Sequence, residues 1–400
     1  MVALSTITQS LLATYGMRKI FGRIPPVGDP ITIKTSNEVP IFPGALKTYF
    51  LNSGTAALAA GLQIAQQHCQ AKKPEVVIPA YCCPDLLSAI LYNDMKPVLV
   101  DFIPDKPYMD LNGIEEALNE NTVAVIAVNF LGIPERFREI KQLLQDMPTL
   151  LIEDSCQWFP ESDEAFASHE GDLVVYSFGK GKPVCLLGGG ALSIRKPACE
   201  KYKVADIIGE KNTSLSKSKA LFNLTKYLLY NIAISPYAYW LVELTPFIKL
   251  GETRFHPLKS IETMNSNQLI FLKKNINAYQ NRSLHLFSNK HLTKNSIAPT
   301  HFIMLNDECP TYANQHLLRM PLLFKNTSTR ERFIAAANDN GLGTSALYSE
   351  VLLGIQNIPD AALANQAFPY AENFSKSLLT MPTHSYAKEN HLGSAFAKLN

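Results

Sequence analysis

The stretch YSFGKGKPVCLLGGGAL, residues 176–192, sets Ser177 ahead of two lysines, Lys180 and Lys182, and a glycine run. Lysines in such a loop can cradle a phosphate, hold a cofactor covalently through the amine, or stand as solvated charge. A nucleotide-binding P-loop needs a glycine five residues before its Gly-Lys pair and a serine or threonine after the lysine. Counting back from Gly181 reaches Tyr176 and from Gly179 reaches Val174, while Gly181 and Pro183 follow the lysines. The P-loop pattern is absent.

Polar groups also sit where short apolar runs end: Asn129 after VAVIAV, Asp154 after LLIE and Ser177 after LVVY. In open parallel sheets ligands bind outside the carboxyl ends of the strands. A carboxylate, a hydroxyl and the Lys182 amine are therefore expected on one edge. Separately, LNSGTAALAAGL (51–62) offers Asn52 or Ser53 as an N-cap before Gly54, Thr55 and an alanine-rich helix. A helix start with small residues and free N–H groups is an anion site. Amine, carboxylate and helix start are together the groups that pyridoxal 5'-phosphate requires. The amine condenses with its aldehyde, the carboxylate keeps the pyridine nitrogen protonated, and N–H and hydroxyl groups take the phosphate.

The elements that must position these groups follow a βαβ rhythm. EVVIPA (75–80), KPVLVDF (96–102), VAVIAVNF (123–130), LLIEDS (150–155), DLVVYSF (172–178) and GALSI (190–194) read as strands. Several are apolar without alternation, as in a parallel sheet covered on both faces. Helical segments near 54–71, 84–94, 112–120 and 135–146 lie between them. After Arg195 the rhythm stops. A stretch rich in Lys, Ser, Leu and Tyr (200–250) precedes a helical run (260–287), strand-like LLRMPLLF (317–324), a helix around 328–340 and the turn signal NDNGLG. The expectation is a large α/β domain over 1–245 and a smaller α+β domain over 246–400.

At 400 residues the chain exceeds one ordinary core. Its 37 basic and 35 acidic residues give a net charge of +2, which argues against nucleic acid as a partner. Seven scattered cysteines, with only Cys82 and Cys83 adjacent, have no metal or disulfide spacing and suit reduced thiols in the cytoplasm. No signal peptide is read at the N-terminus. Tyr227–Val242 lacks charge for 16 residues but contains Pro236 and is shorter than the ~20 needed to span a bilayer. It reads as a buried helix pair or as an amphipathic segment lying on a surface.

SGTAAL (53–58), VIPAY (77–81), IEDSCQ (152–157), YSFGKGKP (176–183) and GGGAL (188–192), in this order, resemble the sugar aminotransferase (DegT/StrS) family of fold-type I pyridoxal-phosphate enzymes. With LRMPLLF and GLGTSALY the resemblance extends over most of residues 25–385. It implies a mainly parallel sheet flanked by helices, with Lys182 holding the cofactor and Asp154 pairing with the pyridine nitrogen. Gln157 would lie near the cofactor's phenolic oxygen, and Gly54, Thr55 and Ser177 would take its phosphate. It further implies a homodimer that moves an amino group, usually from glutamate, to a nucleotide-linked keto sugar, in the synthesis of polysaccharide or related glycans.

The chain departs from the family pattern in places. Cys83 stands where a ring would stack on the cofactor, with Tyr81 nearby; either could serve. Asn129 stands where a histidine is usual, and GETRF (251–255) lacks the asparagine of the segment that reaches a partner subunit's site. Lys180 falls three residues after Ser177, out of step with the family spacing, and would add positive charge near the phosphate or substrate. Dehydratase relatives replace the lysine with histidine, so Lys182 speaks for transamination. The alternatives are a protein of this fold with a non-transaminating or regulatory role, and a membrane-surface carbohydrate-binding protein docking through 220–250.

Overall fold

A computed structural model describes residues 22–202, 206, 208, 216–245, 252–282, 302–305, 317–359, 362–364 and 366–387. The domain limit at 245/246, Gly251, the end of the helical run (283–287) and the N-terminal 21 residues lie outside them.

Seven strands form the first sheet: β1 Lys47–Leu51, β2 Glu75–Pro79, β3 Lys96–Val100, β4 Thr122–Val128, β5 Leu150–Asp154, β6 Leu173–Ser177 and β7 Gly190–Ile194. Their order is β1-β7-β6-β5-β4-β2-β3. From β3 to β6 neighbouring strands are parallel, while β7 runs antiparallel to β6 and β1 antiparallel to β7. The sheet is thus mainly parallel, as expected, with an antiparallel edge. β4 and β5 are buried along their whole length, which explains their unalternating apolar sequence. The edge strand β1 is not signalled by such a run, because only its last residue, Leu51, is fully buried.

Helices cover both faces. α1 (Gly54–Cys69) and α2 (Pro84–Tyr92) pack on one, with Ala56, Ala60 and Leu62 meeting Ile152, Leu173 and Leu192. α3 (Leu111–Ala117) and α4 (Phe137–Leu143) pack on the other, through Ile114 and Ile140 against Val77, Val125 and Leu151. The alanine-rich face of α1 lets the helix sit close to the sheet. Full burial of each Leu or Ile side chain contributes roughly 1.5–3 kcal/mol.

After the short α5 (Asp163–Ala167), α6 (Lys217–Ala233) and α7 (Tyr239–Leu244) follow, then α8 (Ser266–Leu269) and α9 (Leu272–Gln280). α9 packs on the first sheet, Leu272, Ile276 and Tyr279 joining Phe159 and Phe178 in one cluster. The second sheet is β10-β9-β8, antiparallel, from β8 (Phe302–Met304), β9 (Arg319–Phe324) and β10 (Leu378–Pro382). α10 (Thr327–Asp339) and α11 (Pro369–Ser377) complete this α+β unit. Its Leu322, Phe333 and Phe374 share a core with Tyr81, Phe102 and Phe130, so the unit is fixed against the carboxyl edge of the first sheet. Among the described residues no helix is long and apolar enough to cross a membrane.

Candidate functional site

One cleft is lined by Gly54, Thr55, Cys83, Asp154, Gln157, Ser177 and Lys182, seven of the eight residues singled out as cofactor contacts. Asp85 and Cys156, which sequence reasoning did not single out, line it as well.

The cleft forms where α1 starts. Ser53 caps the helix, its Oγ accepting from Ala56 N at 3.0 Å. Gly54 then passes so close to β6 that a Cβ there would lie 2.6 Å from Ser177 Cβ and 2.9 Å from Ser177 Oγ. The glycine run serves the same approach. Gly188 and Gly189 take φ of +155° and +88°, and a Cβ on Gly190 would come within 2.6 Å of the Ser53–Gly54 backbone. Gly54→Ala is therefore expected to cost about 1–3 kcal/mol by overpacking. Gly61→Ala, whose Cβ would meet the flexible Leu192 Cδ1 at 3.3 Å, should cost less. Thermal melts of the two variants would check this, and an unchanged Gly54→Ala melt would contradict the close approach.

Successive residues of a strand point to opposite faces, and this separates Asp154 from Glu153. Asp154 faces the cleft, its Oδ1 accepting from Cys156 N at 2.9 Å. Burial raises its carboxyl above the ordinary aspartate value, although the Cys156 hydrogen bonds and the Lys182 charge pull the other way. Glu153 faces away and meets His169 Nδ1 at 2.5 Å, with His169 Nε2 2.8 Å from Tyr176 Oη. Asn129, expected at the ligand edge, joins this far-face network: its Nδ2 donates to Glu153 Oε1 at 2.9 Å and to Ser155 Oγ at 2.6 Å. It lines a separate, larger cavity of about 430 Å3, together with Glu135, Arg136 and Trp158. None of the seven cleft residues borders that cavity.

Burial alone would raise the Glu153 carboxyl, but the His169 charge and hydrogen bonds from His169, Asn129 and Gly171 hold it below the ordinary value. A depressed carboxyl stabilises the fold above its unfolded pKa, and that stability is lost as pH falls through the folded value. Glu153→Gln should thus cost about 3–5 kcal/mol near neutral pH, because a buried partner is left unpaired. The difference between the two proteins' melting temperatures should shrink below about pH 4; a gap that widens on acidification would contradict the assignment.

Lys182 sits in the connection between β6 and β7. Phe178 anchors both ends of this loop, its N donating to Gly189 O at 2.8 Å and its O accepting from Leu186 N at 2.8 Å. Gln268 Nε2 adds bonds to Leu186 O and Gly188 O at 3.0 and 2.9 Å. Lys182 is half-buried and faces the cleft, whereas Lys180 is exposed and does not line it. Burial pulls the Lys182 ammonium down, but negative charge on Cys156, Cys83, Asp154 and Asp85 would outweigh it, and the amine lies above the ordinary lysine value. Burial pushes the Cys83 thiol up to about 12 and Cys156 well above its ordinary value. Both thiols are therefore neutral at physiological pH, so the upward push on the amine there comes from the neighbouring carboxylates, Asp154 among them, and not from the thiols.

Gln157 lines the cleft while held from both sides: Oε1 accepts from Leu131 N at 2.8 Å and Nε2 donates to Tyr348 Oη at 2.9 Å. Tyr81 is the one expected contact that does not line the cleft. It is buried among Phe102, Phe130 and Phe374, and its hydroxyl donates to Tyr348 O at 3.0 Å. Of the two side chains considered for covering a cofactor ring, Cys83 is the one on the cleft wall. On its other side Lys182 borders a second cleft with Asp29, Arg282 and His384, residues that only the tertiary fold brings there.

Residues 38–221 match the DegT/DnrJ/EryC1/StrS aminotransferase family. Over 164 residues the chain is 29% identical to the dTDP-4-amino-4,6-dideoxy-D-glucose transaminase of Shigella dysenteriae, covering 41% of this chain and 43% of that protein. Over 117 residues it is 25% identical to the GDP-4-keto-6-deoxy-D-mannose 3-dehydratase of Escherichia coli O55:H7, covering 28% and 30%. The chain thus spans less than half the length of these curated relatives. The crystal structure of NtdA from Bacillus subtilis with bound cofactor PMP superposes with a TM-score of 0.59 at 17% identity, covering 89% of this chain and 73% of that one. That likeness is one of fold.

Proposed function

We propose, for a chain whose residues 38–221 match the DegT/DnrJ/EryC1/StrS aminotransferase family, that the cleft holds pyridoxal 5'-phosphate and transfers an amino group from glutamate to a nucleotide-linked keto sugar. The observation that carries this reading is the meeting of Lys182, Asp154 and the Gly54–Thr55 helix start on one cleft wall. The residues fit the cofactor. The Gly54–Ser177 approach would be filled by any Cβ, which leaves backbone N–H groups of α1 and the Ser177 hydroxyl for a phosphate. Asp154 is a buried carboxylate of raised pKa, and a ring nitrogen that carries a proton is the cation that would stabilise its charged form.

When bound, the cofactor supplies an electron sink for the carbon that loses its proton. Lys182 would hold it covalently at rest and afterwards act as the base and acid that moves that proton. A cation that matched the Asp154 charge would remove one of the influences that raise Lys182, leaving burial to pull the amine toward its free form. Cys83 would flank the ring as a neutral thiol, and Gln157 would contact its phenolic oxygen, oriented by Leu131 and Tyr348.

The identity with a 3-dehydratase makes dehydration the second reading, and the amine of Lys182 in place of an imidazole supports transamination over it. The resemblance supports a homodimer and a role in glycan biosynthesis; the end of the βαβ rhythm after Arg195 supports units 1–245 and 246–400, with α9 of the second unit packed on the first sheet. Free thiols at all six described cysteines support a cytoplasmic setting. The test is direct. Protein loaded with pyridoxal phosphate is given each amino acid in turn, then a panel of nucleotide-linked keto sugars. One equivalent of 2-oxoglutarate from glutamate, and an amino sugar detected by mass, are expected. No keto acid from any amino acid would end the proposal.

A further inference from the structure

α6 presents its apolar face outward. Leu221, Phe222, Leu229 and Ile232 are 63%, 70%, 61% and 59% exposed, and Leu228 is exposed beside them. At 100° per residue these side chains share one stripe of the helix. The inner face is the polar and aromatic one. Tyr227 is buried, Asn231 bonds Ile31 N and O at 2.7 and 2.8 Å, and Asn223 donates to Asn267 O at 2.9 Å. This inverts the usual surface helix, whose apolar stripe faces the core. Beyond α6, Tyr237 is 82% exposed, and Leu241 on α7 is exposed too.

Charge narrows the choice of what covers this face. Lys217 borders the stripe on one side, and Lys219 and Lys226 border it on the other; all three are exposed. Between Glu210 and Glu243 the chain holds four lysines and no acidic residue. A two-fold contact between identical stripes would bring lysine borders against lysine borders with no carboxylate of the segment to pair them. An apolar stripe flanked by lysines and followed by an exposed tyrosine instead matches the interface of a bilayer bearing anionic headgroups.

We propose that α6 is a membrane-docking helix that lies in the plane of an anionic lipid surface. This is independent of the chemistry assigned to the cleft. The inner face of α6 is anchored through Asn231 to Ile31 and through Asn223 to Asn267, so docking requires no rearrangement of the fold.

The full chain is floated with phosphatidylcholine vesicles with and without phosphatidylglycerol, at low and high salt. Flotation is expected with the anionic vesicles, and about tenfold less with neutral ones or at high salt. Phe222→Ser/Leu229→Gln should float about tenfold less, with wild-type melting temperature and sedimentation mass, since both side chains already face solvent. Lys217→Glu/Lys219→Glu/Lys226→Glu gives a second, charge-only variant, expected to lose its preference for anionic vesicles. No flotation of the wild type, or equal flotation of wild type and both variants, overturns the proposal. A lower sedimentation mass for Phe222→Ser/Leu229→Gln overturns it in favour of a second copy of the chain.

Discussion

Lys182→Ala is expected to leave a folded protein that turns over about 10²–10⁴-fold more slowly, while Lys180→Ala keeps the wild-type rate. The two lysines share a loop, but only Lys182 lines the cleft that contains Asp154 and Ser177. The loop should survive the change, because its ends are fixed by Phe178, Gly189 and Leu186 backbone bonds rather than by the lysine side chain. Borohydride reduction followed by intact mass gives an independent reading. Wild type and Lys180→Ala should gain the mass of the cofactor, and Lys182→Ala should not. The opposite pattern would transfer the role to Lys180.

The second large effect is expected at Asp154. Asparagine keeps an acceptor for Cys156 N and removes the charge, so Asp154→Asn tests electrostatics at constant shape. Turnover should fall about 10²–10³-fold, the scale seen when one preorganised charge-stabilising group is lost. The pH dependence follows from burial. Because the Asp154 carboxyl is raised, acidification should protonate it, and weaken cofactor binding, at a pH above that of an ordinary aspartate. Asp154→Asn should show no binding transition there. Absorbance titrations of both proteins would settle the point, and identical pH profiles would remove Asp154 from contact with the cofactor.

Strands β2 and β4 to β7 were legible because burial leaves continuous apolar runs, the edge strand β3 because its PVLV run is apolar although only partly buried, and Asp154 and Ser177 because such runs end on them. β1 was not, since Lys47–Leu51 is partly exposed along most of its length and looks like loop sequence. Asn129 ends a strand as well, but a strand end alone does not say which face a side chain takes, and Glu153 and Ser155 draw it to the far one. Tyr81 lies in a motif beside the cleft, yet aromatic packing with the C-terminal unit holds it away. Tyr348, which orients Gln157, carries no local signal, because its role exists only once the second sheet has docked. The apolar content of 220–250 was plain in the sequence. That the apolar side of α6 turns outward depends on Asn223 and Asn231 finding partners far along the chain.

The antiparallel return of β7 along β6 has a consequence for how the cleft forms during folding. The Lys182 loop closes a local hairpin, whose contacts cost little loop-closure entropy and can form early. Its other wall rests on more distant contacts, since α1 starts directly after β1, which pairs with β7, Lys47 opposite Ile194. That pairing is among the most distant in sequence within the first sheet. By loop-closure entropy a complete cleft is expected to form late, and a ligand that binds only the complete cleft draws the whole first sheet toward the native state.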